Sequence, residues 1–434
     1  GSYPQVIDEL TYSVRKKLFQ DISKETVTIR HSVNDVALPN RQLGAFLPGK
    51  GVGGAGLHWS GVHFRVDPME LRMRSHYEER YGKQFIPKDM TIQDFGVSYE
   101  ELEPFFDFAE KVFGTSGQAW TVNGVRVGEG KGGNPYAPDR SNPFPLASQK
   151  NTVSAQLFQK AAAEVGYKPY NLPSANTSGP YTNPYGAQMG PCNFCGFCSG
   201  YVCYMYSKAS PNVNILPALR QVETFELRTN AHVLRVNLDS TKRKATGVTY
   251  VDAQGREVEQ PADLVILGAF QFNNVRLMLL SGIGQPYDPK TGEGVVGKNF
   301  AYQNMATIKA FFDKDTHTNN FIGAGGNGVA FDDFNADNFD HGPHGFVGGS
   351  PMWVNQAGSR PIAGTANPPG TPAWGSAWKK ATADYYTHQV SMDAHGAHQS
   401  YRGNYLDLDP VYRDAYGLPL LRMTFDWQEN DIKM

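Results

Sequence analysis

All four cysteines of this chain, Cys192, Cys195, Cys198 and Cys203, fall within twelve consecutive positions, in the string PCNFCGFCSGYVC. Cysteines used as ordinary small core residues would be scattered along the sequence. The spacing C-x2-C-x2-C-x4-C instead lets one loop turn several sulfurs toward a shared centre. Three centres are compatible with such a loop: an iron–sulfur cluster, a zinc site and a disulfide pair. The close C-x2-C-x2-C run favours iron–sulfur, because one tight loop wraps one face of a cluster. Structural zinc sites more often join two knuckles from distant segments, and here there is no second knuckle and no histidine within the run. A chain of this size has core enough to fold without disulfides. Zinc and disulfide stay open on spacing alone.

The 434 residues suggest two or three domains. With 40 basic and 42 acidic residues the net charge is −2, which argues against a nucleic-acid binder. Gly 46, Pro 28 and 12% aromatic residues describe many loops around a large ordered core. The longest apolar runs are short, such as LVIL at 264–267. None approaches the roughly 20 residues of a membrane span, and no leader is visible at the start.

Along the chain, VIDELTYSVRKKLFQDIS predicts a helix and KETVTIRH a strand. Residues 44–65 form a glycine-rich loop, and 67–113 read as helical. Ser98 and Glu101 are spaced as a capping box, with Gly114 as the stop. Residues 120–150, rich in Gly, Pro and Asn, read as a long surface loop. A helix is expected at 152–165. Beyond the cysteines, FELRTNAHVLRVNLDS, ATGVTYVDAQGREVEQ and DLVILGAF read as strands with a hairpin at AQGR, and NNVRLMLLSG as a helix. Residues 301–434 read as a second, mainly antiparallel sheet region, with GAGGNG at 323–328 as a flexible patch.

The pattern G-x-G-x-x-G occurs at Gly49/Gly51/Gly54, Gly51/Gly53/Gly56 and Gly323/Gly325/Gly328. None of the three has a buried strand before it and a helix after it, so none is the dinucleotide fingerprint. Around Gly51–Gly56 the alternatives are a plain turn and a bare backbone lying close to a flat ligand.

Four segments carry a resemblance. GKGVGGAGLHWSGVHFR at 49–65, SYEELEPFFDFAEKVFGTSG at 98–117, DLVILGAFQFNNVRLMLLSGIG at 263–284 and NYLDLDPVYRDAYGLPLLRMTFDWQEN at 404–430 together resemble the glucose–methanol–choline (GMC) flavin oxidoreductases. The cysteine run is similar to the subgroup of bacterial sugar and sugar-acid dehydrogenase subunits that carries a cluster. The resemblance implies an α/β (α+β overall) fold: an incomplete Rossmann-like FAD-binding domain plus an antiparallel-sheet substrate domain. It divides the chain into 1–66, part of the FAD domain; 67–150, a cap insertion; 151–300, FAD domain with the cysteine loop; and 301–434, the substrate domain. It implies FAD lined by Gly51, Val52, Gly53, Gly54 and Ala55, with His58, Trp59 and Ser60 near the flavin ring or its ribityl chain. Val233 would meet adenine, and Gly268 and Ala269 the adenosine. It implies a cluster, three-iron in type, on Cys192, Cys198 and Cys203 with Cys195 spare. Trp59 reads equally as core, and His395 and His398 read better as structural histidines at a turn than as bases.

The family's opening strand with its true glycine fingerprint, and its closing segment with the catalytic histidine, have no match here. The resemblance therefore implies a chain cut at both ends and assigns no catalytic residue within it. The expected activity is oxidation of a CH–OH group of a sugar acid, sugar or polyol, with electrons leaving through the cluster to a cytochrome or quinone. The expected partners are a small chaperone-like subunit and a cytochrome c subunit, on the periplasmic side of the bacterial inner membrane. The alternatives are a zinc-stabilised binding module and an inactive dehydrogenase remnant.

Overall fold

The computed structural model describes residues 21–22, 26–41, 46, 48–128, 131–355, 358 and 366–434. The helix expected at VIDELTYSVRKKLFQDIS lies almost wholly outside the described residues. The strand after it is Val27–Arg30.

The clearest local signal is fulfilled. Helix Tyr99–Phe113 starts at Ser98, whose hydroxyl accepts from the Glu101 N–H while the Glu101 carboxylate accepts from the Ser98 N–H. It stops at Gly114, in the left-handed conformation at φ 62°. The helix buries Tyr99, Asp107, Glu110 and Val112, so one stripe of it faces inward. Helix Val153–Glu164 is likewise capped by Thr152.

Three sheets organise the rest. A five-stranded sheet runs in the order Gln303–Phe311, Gln389–Ala397, Met352–Asn355, Gly328–Phe331, Tyr170–Asn171, with every pair antiparallel. This is the antiparallel region expected beyond residue 300, joined by one short strand from before the cysteines. Strands Tyr405–Arg413 and Pro419–Thr424 form a second sheet with Val27–Arg30, where Val27 stands opposite Leu421 in parallel register. The first and last described strands thus share one sheet. The third is a meander of His232–Leu238, Ala245–Val251 and Glu257–Pro261, with the expected turn between the last two. Helix Gln271–Ser281 joins the second and third sheets. Its Phe272 packs on Phe300, Leu406, Leu421 and Met423, and its Ser281 hydroxyl accepts from the Val236 N–H at 2.9 Å.

Three expectations need correction. DLVILGAF forms no strand: Leu264 is 75% and Ile266 81% exposed. An apolar run becomes a strand only against a neighbour's unpaired edge, and this run has no such partner among the described residues. Residues 120–150 are not merely a surface loop. They hold the two-residue hairpin Thr121–Val122/Val125–Arg126, and they bury Arg140 to 5% exposure. The GAGGNG stretch is buried throughout, because its bare backbone is wedged between other segments. A Cβ on Gly325 would stand 1.4 Å from the Ser60 carbonyl oxygen.

Candidate functional site

The cysteine loop turns through left-handed residues, Phe194 at φ 56° and Gly196 at φ 77°. All four thiols are free of disulfides in this structure. Cys198 is buried, and the other three are half-buried. Backbone N–H groups aim at sulfur: Phe194 to Cys192 at 3.4 Å, Lys208 to Cys203 at 3.5 Å, and Gly325 to Cys198 at 3.0 Å. Burial pushes the Cys192 thiol up to about 11 and the Cys198 thiol up to about 12, and each also feels the charge of the other sulfurs. Burial raises Cys195 as well. A lone thiol in such a place keeps its proton at neutral pH; a metal displaces it.

Among the described residues no three His, Cys, Asp or Glu side chains stand close enough to hold one metal ion. Four sulfurs on one zinc at about 2.3 Å would lie within roughly 4 Å of each other. The zinc-stabilised module therefore has no ready ligand set. The thiols sit in a buried loop with N–H groups directed at sulfur, the donor chemistry that an iron–sulfur cluster would use.

The Gly51–Ser60 loop packs directly on this cysteine loop. The Asn212 side chain donates to the Val52 carbonyl at 3.1 Å, the Gly200 N–H to the His58 carbonyl at 2.8 Å, and the Asn176 amide reaches the Ser60 carbonyl at 3.4 Å. Trp59 is half-buried and packs against a core cluster. Its indole donates to the Ala209 carbonyl at 2.7 Å, and its ring packs on Ala175, Met189, Ala209 and Val213. His58 is 6% exposed. Gly53 sits at φ 102°, which favours glycine, and a Cβ there would meet Asn212 and Leu57. At Gly51 and Gly54 a Cβ would meet nothing within 4 Å, so the bare backbone faces open space, as a flat ligand requires.

Val233, Gly268 and Ala269 stand on a second piece, the meander and the helix that follows it. The Asn274 side chain clasps the turn, accepting from the Ala269 N–H at 2.8 Å and donating to the Leu267 carbonyl at 3.1 Å. Gly268 also faces open space, and Val233 is 36% exposed.

A cavity of about 250 Å³ lies between the five-stranded sheet and segments 63–73 and 118–144. On one wall Arg65 donates to both Glu110 oxygens, at 2.9 and 3.0 Å, and to Glu103 at 2.9 Å. Arg140 also pairs with Glu110 and lies 3.7 Å over the Phe144 ring. Both guanidiniums are thus neutralised by carboxylates. Asp332, which also lines the cavity, accepts from Asn134 at 2.7 Å and Tyr170 at 3.0 Å, and burial pushes its carboxyl up to about 6. Burial also raises Asp67 and Glu70, against their capping hydrogen bonds. His63 and His395 line the same cavity, and burial lowers both imidazoles, which keeps them neutral near pH 7.

The two histidines weighed in the sequence therefore separate. His395 lies within strand Gln389–Ala397 on the cavity wall, whereas His398, 3% exposed, is held against Asp431 at 3.3 Å outside it. Sequence reading missed His63, Arg65, Glu110, Arg140 and Asp332. Nothing local marks them, because the polar partners named here lie 30 to 198 positions away.

Residues 93–305 match the family described as GMC oxidoreductase. Across 434 residues, the whole chain, the sequence is 76% identical to the gluconate 2-dehydrogenase flavoprotein of Pantoea cypripedii and spans 71% of that protein. It is 24% identical over 253 residues to the fructose dehydrogenase large subunit of Gluconobacter japonicus, covering 58% of this chain and 40% of that one. A crystal structure of formate oxidase aligns with a TM-score of 0.46 at 15% identity, over 97% of this chain and 70% of the other. With that family match and a relative 76% identical along the whole of this chain, the chain belongs to the GMC oxidoreductase family.

Proposed function

We propose that the chain is the flavoprotein of an FAD-dependent dehydrogenase that oxidises a CH–OH group of a sugar acid, with gluconate as the substrate. The single observation that carries this reading is the 76% identity, without interruption in coverage, to a gluconate 2-dehydrogenase flavoprotein. FAD supplies the hydride acceptor when bound. The bare backbone at Gly51 and Gly54 and at Gly268 suits close approach by its flat and its adenosine parts.

The cavity's own residues suit a small polyhydroxylated acid. Neutral His63 and His395 and the amide side chains of Gln118, Asn134 and Gln399 offer hydrogen-bonding groups for hydroxyls. The internal Arg65–Glu110–Arg140 pairing fixes its wall and leaves neither guanidinium unpaired. The four cysteines are read as holding an iron–sulfur cluster of the three-iron type, which supplies one-electron transfer out of the protein. A small chaperone-like subunit, a cytochrome c acceptor and a periplasmic location complete the reading. Among the described residues no helix is long and apolar enough to cross a membrane.

The test is a dye-reduction assay on the anaerobically purified full-length gene product, run across gluconate, other sugar acids and polyols. Gluconate should bleach the flavin and give the highest kcat/KM. Bound flavin that no sugar acid bleaches would sink the proposal.

A further inference from the structure

Lys208 is 1% exposed, among the most deeply buried large side chains of the protein. Its ammonium donates three hydrogen bonds, to the carbonyl oxygens of Trp59 at 2.8 Å, Cys198 at 2.8 Å and Tyr201 at 2.7 Å. Three acceptors around one nitrogen need three protons. A neutral amine has two, and its lone pair would face the third carbonyl, so the geometry selects the charged form. Carbonyl dipoles satisfy the protons but not the charge, and a buried cation without an anion is costly. Burial works against that charge and lowers the Lys208 ammonium, while the sulfurs of Cys198, Cys203 and Cys195 work for it; no carboxylate is among its partners in the described residues. The counter-anion is therefore sulfur. Bound to a metal, the same sulfurs are thiolates and supply that negative charge.

We propose that Lys208 is a positioning residue that clamps the Gly51–Ser60 loop to the cysteine loop and holds the reduction potential of the cysteine-bound centre up by its fixed positive charge. The inference rests on the iron–sulfur reading of the four cysteines. Reduction adds one electron to the centre, and a neighbouring cation stabilises the more negative, reduced state. The Trp59 contact gives the same ammonium a hold on the loop expected over the flavin, and its backbone N–H to Cys203 Sγ gives it a second hold on the sulfurs.

The test uses the holoenzyme and its Lys208→Gln and Lys208→Arg variants. Iron and acid-labile sulfide are counted, and the midpoint potentials of cluster and flavin are read in one EPR- and absorbance-monitored redox titration. Two results support the inference. In the first, the Gln variant keeps its iron, and its cluster midpoint moves to more negative potential by more than the flavin midpoint does. In the second, the Gln variant loses the cluster while the Arg variant keeps it. A loaded Gln variant with an unchanged or more positive cluster midpoint overturns it. So does equal loss of the cluster from both variants, since that marks packing rather than charge. Absence of iron and sulfide from the wild-type protein is a separate outcome: it removes the iron–sulfur reading itself, and the inference with it.

Discussion

Asp332 is 7% exposed on the cavity wall, and its carboxyl ionises near 6 in the folded protein against an ordinary value of 3.8. The folded state therefore binds this proton more tightly than the unfolded chain. Its contribution to stability is full below about pH 4 and is lost as pH rises through about 6. A rise of that size corresponds to about 3 kcal/mol. Asp332→Asn removes that dependence while keeping an acceptor for Tyr170. The stability difference between variant and wild type should move in the variant's favour by up to about 3 kcal/mol between pH 4 and pH 7.5. Denaturant midpoints of the two proteins across that range check it, and a flat difference would refute it. At this scale the sequence was unevenly legible. Four cysteines in twelve positions announce themselves, since sulfur chemistry needs local spacing. Lys208 and Glu110 do not. A lysine five residues past a cysteine looks like any solvated lysine, until Trp59, 149 positions away, brings its carbonyl to it.

At the scale of elements, what was legible is what chain neighbours decide. The Ser98/Glu101 box, the Gly114 stop and the helix at Val153–Glu164 all rest on contacts within a few residues. What was not legible depends on distant backbone. GAGGNG is compositionally a flexible patch, yet Gly325 is the crossing point of three segments. Its carbonyl accepts from Asn176 at 2.6 Å and Ser174 at 2.5 Å, and its N–H meets Cys198 sulfur. Gly325→Ala places a Cβ inside the Ser60 carbonyl and forces the segments apart, at a cost of about 3 kcal/mol or more. It should also lower the iron content, because the Cys198 hydrogen bond goes with it. Gly268→Ala is the contrast. Its Cβ meets nothing within 4 Å, so apoprotein stability should stay within about 1 kcal/mol while flavin retention falls. Thermal midpoints of the apoproteins, with flavin content after gel filtration, separate the two. A destabilised Gly268→Ala apoprotein would place that glycine in packing rather than at a ligand.

For the molecule as a whole, the governing balance is between buried and exposed apolar surface. Leu264 and Ile266 project 75% and 81% of their surface outward, and Val295 is 73% exposed. Strand Gln303–Phe311 forms the edge of the five-stranded sheet. Gln389–Ala397 occupies one side of it, and Met305 and Ile308 are 56% and 61% exposed. Of these surfaces the strand is the stronger adhesive, because it adds a row of backbone donors and acceptors to its apolar side chains. Lys309 is the only charge along its nine residues to blunt it. The 264–267 run offers apolar area alone. The 434-residue chain at tens of micromolar should therefore self-associate reversibly through this edge. Light scattering after gel filtration should show an average mass that rises with concentration. The Met305→Lys/Ile308→Lys double variant should shift that curve to higher concentration, whereas Leu264→Lys/Ile266→Lys should shift it less. The reverse ranking would mean that apolar area, not strand pairing, governs how this surface finds its partner.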